Sequence, residues 1–93
     1  MLRRRKNEEH AFCDAAKQRD FAKVETMLEA NPALVNVQPA RRWSALHQFA
    51  QAGNEEAVKF LLKVGANPAA VNKDGKTPRD VAHPSVLGLL PEA

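Results

Sequence analysis

Cysteine occurs once in the 93-residue chain, at Cys13, which excludes an intrachain disulfide and the paired thiolates of a structural zinc site. That scarcity leads us to expect a reducing compartment, the cytoplasm first and the nucleus second. Aromatic residues supply 5% of the chain and do not interleave with basic ones, so no stacking platform for single-stranded nucleic acid is written into it. No apolar window approaches the length of a membrane span, and the basic start MLRRRK is not followed by the apolar core of an export signal. A membrane partner is therefore not expected. Glycine-rich phosphate loops, the paired-carboxylate spacing of acid–base catalysis and nucleophile elbows are missing too, so the residues predict no enzyme, no cofactor and no small-molecule substrate.

What is present is a modest basic excess and a repeat. The net charge is +3, and residues 1–47 hold all of it, with nine Lys/Arg against six Asp/Glu. Three stretches share one apolar signature: Val24, Met27 and Leu28; Val58, Leu61 and Leu62; Val86, Leu89 and Leu90. Spacing of i, i+3 and i+4 places three side chains on one helical face, so each stretch predicts an amphipathic helix. Self-similarity of this kind turns apparently special residues into structural ones, and it has to be settled before any motif is interpreted.

The flanks agree. Asp20 and Asn54 stand where an N-cap side chain accepts a free backbone N–H, and Glu55 and Glu56 place negative charge in a first helical turn. Asn31 and Gly65 are suited to a left-handed stop. Ahead of each helix lies a shorter one rich in small residues: AFCDAAKQ, SALHQFAQA and TPRDVAH. Ser44, Thr77 and, in the first copy, Asn7 are their expected N-caps, and Pro78 fits a first helical position. The connecting stretches NPALVNVQPARRW and GANPAAVNKDGK favour turns over a further helix, with NKDGK as a loop tip. A unit of this kind cannot bury its apolar face alone and must stack on its neighbours.

Residues 44–78, SALHQFAQAGNEEAVKFLLKVGANPAAVNKDGKTP, resemble the ankyrin repeat family almost end to end. The likeness runs from the Ser44–His47 start through Gly53 and the Val58-Leu61-Leu62 helix to Gly65-Ala66-Asn67-Pro68 and Asp74-Gly75. It implies an all-α solenoid of helix-turn-helix units with projecting loops or short hairpins, forming a single domain over residues 1–93. The repeats fall at about 7–43, 44–76 and, shortened, 77–91, behind a basic tail at 1–6. In the outer copies Arg19 replaces the turn glycine, while Arg79 and Asp80 replace the counterparts of Leu46 and His47, as suits polar end caps. Phe49 replaces the usual alanine and is read as core, accommodated by Ala15 and Ala82.

Catalysis by His47 would require an orienting carboxylate and a nucleophile, and a metal site would require more ligands; neither is nearby in sequence. The resemblance implies instead a structural histidine that hydrogen-bonds loop and helix start, with Asp80 as a capping-box acceptor. It also implies a non-enzymatic protein-interaction module, an adaptor, scaffold or regulatory subunit, that binds through loop tips and the inner face of the short helices. On this chain those positions are Arg41 and Trp43, then Lys73, Asp74 and Lys76, with Lys17, Gln18, Gln48 and Gln51 on the inner face. Their basic tilt points to an acidic protein surface as partner. Two other readings stay open: a nucleic-acid or ribonucleoprotein adaptor using Arg3, Arg4, Arg5, Lys6, Arg41 and Arg42, and a structural subunit packed in a larger assembly.

Overall fold

The computed structural model describes residues 2–91, with side chains from residue 8 onward. Among the described residues five α-helices form the stack: α1 (Leu2–Lys17), α2 (Phe21–Ala30), α3 (Ala45–Ala52), α4 (Glu55–Lys63) and α5 (Pro78–Val81), with 3-10 segments at Pro32–Asn36, Pro39–Arg41 and Pro84–Leu89. Among the described residues there is no strand, so the projecting loops carry no hairpin ladder. They are tied by side chains and by one backbone bond, in which Lys73 N–H donates to Arg41 O at 3.0 Å.

Helix α3 lies between α1 and α5, forming the inner layer, while α2, α4 and the 3-10 segment Pro84–Leu89 form the outer one. Side chains between the layers make one continuous core, with Phe12, Ala15 and Ala16 from the first unit, Leu46, Phe49, Val58 and Leu61 from the second, and Val86 and Leu90 from the third. Phe49 is fully buried as expected, in the core cluster that also holds Ala15 and against which Ala82 packs, and its ring meets Phe21 edge to face at 5.7 Å. Burying a side chain of that size contributes about 1.5–3 kcal/mol, which links the first two units.

The caps of the central unit form as read. Ser44 accepts from His47 N–H, Asn54 from Ala57 N–H, and Gly53 turns left-handed at φ 71° between α3 and α4. In the same turn of the first unit Arg19 adopts φ 62°, a conformation that costs a residue with a Cβ about 1 kcal/mol. Thr77 and Asp80 form a reciprocal capping box at the start of α5.

Four expectations are corrected. Helix α1 begins at Leu2, so Asn7 lies inside it and residues 2–6 continue the helix; Arg, Lys and Glu all favour helix and nothing breaks the run. The side chains of Arg3, Arg4, Arg5 and Lys6 lie outside the described residues. Asn31 ends α2 at φ −148°, not left-handed, because its side chain instead accepts from Ala33 N–H and starts the next 3-10 segment. The connecting stretch NPALVNVQPARRW, read as turns, contains two 3-10 segments, each opened by a proline. The third apolar signature forms a 3-10 segment rather than an α-helix, since Pro84 holds the preceding His83 extended and stops α5 after one turn.

Candidate functional site

His47 has the burial of a catalytic residue and none of its freedom. Its ring is fully buried, and Nε2 lies 2.7 Å from Lys76 O, which can only accept, so Nε2 carries the proton. Nδ1 then accepts from Ser44 N–H at 3.2 Å and from the Ser44 hydroxyl at 2.8 Å. Both ring nitrogens thus join the start of α3 to the loop that follows α4. Burial lowers the His47 pKa, with the hydrogen bond to Lys76 O and the charge of Asp80 opposing the shift. Asn72, also fully buried, shapes the same loop tip: its Oδ1 accepts from Asp74 N–H at 2.9 Å and Lys76 N–H at 3.1 Å.

In front of α3 lies a cleft of about 680 Å³. It is assembled from four places in the chain. Lys17 ends α1, and Arg19 sits in the turn beyond it. Gln48 and Gln51, three residues apart, project from one face of α3. Arg41 and Trp43 come from the turn before α3, and Lys73 from the loop after α4. Ala40 and Arg41 are both left-handed, at φ 55° and 58°, and this double bend is held because Gln38 Nε2 donates to Arg42 O at 3.1 Å and Val71 O at 2.9 Å. Two consecutive strained residues next to a cleft are a costly way to turn a chain, and they fix the direction of Arg41.

Five cations line the cleft and no carboxylate does. Their commitments differ. Arg42 pairs with Asp14 at 2.8 Å and donates to His10 Nδ1 at 3.2 Å, and that hydrogen bond and charge hold the Asp14 carboxyl below its ordinary pKa. Arg19 donates to Gln48 Oε1 at 2.8 Å and Gln51 Oε1 at 2.9 Å. Lys17, Arg41 and Lys73 form no ion pair among the described residues. Trp43, half-buried, packs one side toward the His47 ring at 5.8 Å between centroids while bordering the cleft.

Of the partner-binding residues expected from sequence, the structure brings together Lys17, Arg41, Trp43, Gln48, Gln51 and Lys73. Gln18, Asp74 and Lys76 stand outside the cleft, and the last two serve the Asn72 turn through their N–H groups. Arg42, assigned to nucleic acid in the alternative reading, has its charge matched by Asp14. Arg19 was missed as a cleft residue; the signal was its occupation of a glycine position, which reads as strain and does not reveal where the side chain points. On the other side of the stack, Leu28, Pro32, Phe60 and Val64, with Glu29 beside them, line a smaller and mostly apolar groove of about 220 Å³. No helix among the described residues is long and apolar enough to cross a membrane.

A family profile described as ankyrin repeats (3 copies) matches residues 12–87. The NAD-capped RNA hydrolase NUDT12 of Homo sapiens is 39% identical over 70 residues, covering 75% of this chain and 15% of that protein. A transient receptor potential cation channel homolog of Caenorhabditis elegans is 39% identical over 64 residues, covering 69% and 5%. Protein phosphatase 1 regulatory subunit 12A of Mus musculus is 40% identical over 58 residues, covering 62% and 6%. The chain therefore spans a small fraction of the length of the curated relatives it matches.

Proposed function

The chain belongs to the ankyrin repeat family, a non-catalytic fold that generally binds other proteins, and from that premise we propose that it is an adaptor or regulatory module whose concave cleft receives an acidic segment of a partner protein. One observation carries the reading: Lys17, Arg19, Arg41 and Lys73, none of them in an ion pair among the described residues, converge on one depression without a lining carboxylate. Low-dielectric walls lined by one sign of charge focus the field and raise the local concentration of the opposite sign. Trp43 adds an apolar face at the centre of that charge, the combination found at binding hot spots. The helices fix Lys17, Gln48 and Gln51, and hydrogen bonds from Gln38 and Lys73 tie the flanking turn and loop, so docking orders little of this chain.

The regulatory subunit among the relatives is in keeping with such a role, and a single buried cysteine suits work in a reducing compartment such as the cytoplasm. The test is capture of a partner by the wild type and by a Trp43→Ala, Arg41→Ala double variant at matched folding. The proposal expects recovery to fall with the variant. Unchanged recovery overturns it. Binding to RNA or DNA whose affinity is unchanged in the double variant would favour the nucleic-acid reading.

A further inference from the structure

Arg19 holds an unusual place in the cleft. Its backbone is left-handed at φ 62°, where glycine stands in the equivalent turn of the next unit at Gly53. The side chain reaches across the boundary between units and divides its fork. Nη1 donates to Lys17 O and Gln48 Oε1, both at 2.8 Å, and Nη2 donates to Gln51 Oε1 at 2.9 Å. Its acceptors are all neutral and the residue is exposed, whereas neighbouring Arg42 already has the carboxylate of Asp14. One amide oxygen sits on each terminal nitrogen, so both nitrogens that a bidentate carboxylate would use are held by neutral acceptors.

We propose that Arg19 is the residue that reads a carboxylate of the docked segment, exchanging the Gln48 and Gln51 oxygens for it bidentately. This rests on the cleft reading above. The exchange replaces neutral acceptors by a charged one, and charge-assisted hydrogen bonds are roughly twice as strong as neutral ones. It also frees the Gln48 and Gln51 carboxamides, each with an acceptor oxygen and two N–H donors, to pair with the main chain of the incoming segment. The ligand is accordingly an extended acidic peptide: one Asp or Glu seated on Arg19, further carboxylates toward Arg41 and Lys73, and an apolar side chain against Trp43. Lysine cannot make the exchange, because a point charge offers no planar fork.

The experiment uses the full chain, 15N-labelled, titrated with a terminally blocked peptide of glutamates around one leucine and with the same peptide carrying glutamine for glutamate. Arg19→Lys preserves the charge and Arg19→Gly suits the backbone, and the dispersed 15N spectrum of each variant reports its folding before titration; Lys59→Ala, exposed and outside the cleft, controls for net charge. The expected result is that the wild type binds the glutamate peptide in preference to its neutral counterpart, with Gln48 and Gln51 carboxamide signals moving. Arg19→Lys and Arg19→Gly then bind roughly tenfold or more weakly, while Lys59→Ala stays within about twofold. Wild-type affinity in Arg19→Lys overturns the exchange and leaves the cleft reading standing. Equal loss in Lys59→Ala, or no discrimination between the two peptides, overturns both.

Discussion

Replacing His47 by alanine removes the group that ties the central unit to the loop beyond it, and the structure sets the scale of the loss. Lys76 O loses its donor, and the Ser44 N–H and hydroxyl lose their acceptor, in a site where the imidazole is fully buried. One buried polar group left unpaired costs about 1–3 kcal/mol, and the vacated ring volume adds to it. We therefore expect His47→Ala to lower stability by about 3 kcal/mol at pH 7.5, against about 5–14 kcal/mol in total for a chain of this size. The loss is itself pH-dependent. Burial depresses the His47 pKa below its ordinary 6.5, so at lower pH the unfolded chain binds a proton that the folded chain refuses. Wild-type stability is complete above 6.5 and falls, by up to about 1.4 kcal/mol per pH unit from this group, as pH drops from 6.5 toward the depressed folded value. His47→Ala lacks that slope, so the gap between wild type and variant narrows below pH 6.5. Urea unfolding of both proteins at closely spaced pH values from 7.5 to about 5 measures it. A gap smaller than about 0.5 kcal/mol at pH 7.5, or one that does not change with pH, would refute the structural assignment of this histidine.

Glycine at two turns gives a paired prediction. A Cβ at Gly53 would meet His83 Cγ and Ser85 Oγ at 3.0 Å, whereas at Gly75 it would meet nothing within 4 Å, though both are left-handed. Gly53→Ala should cost about 2 kcal/mol or more and Gly75→Ala about 1 kcal/mol, as compared by thermal unfolding; equal costs would mean that His83 and Ser85 yield freely. Ala40→Val, at an exposed site with φ 55°, should destabilise by about 1–2 kcal/mol where an ordinary surface change stays within about 0.5. A neutral result would show that the double left-handed bend relaxes at no cost. Ser44→Ala removes the acceptor of His47 N–H and should cost about 1–2 kcal/mol in the same assay; no change in midpoint would contradict the capping box.

The central unit was legible because its signals are local. Ser44, His47, Gly53, Asn54 and the Val58-Leu61-Leu62 face lie within a few residues of what they control, and their spacing encodes the contacts. The third unit misled for the opposite reason: Val86 and Leu90 do enter the core, as their pattern says, yet Pro84 and the short approach leave no room for an α-helix. The cleft was half legible. A repeat register places Gln48, Gln51 and Lys17 on an inner face, but no spacing rule reports that Asp14 reaches Arg42 across 28 residues or that Arg19 crosses to Gln48 and Gln51. Those pairings depend on how units stack, and a left-handed residue sends its side chain where helical periodicity does not predict.

We propose that the cleft at Arg41 and Trp43, and not the apolar groove at Phe60 and Val64, receives the partner. Mapping amide and side-chain NMR shifts while an acidic peptide is added tests it most directly. Changes are expected at the Trp43 indole N–H, the Gln48 and Gln51 carboxamides and the Lys73 amide, with Phe60 and Val64 unmoved. Shifts concentrated around Phe60 and Val64, or none at Trp43, would contradict it.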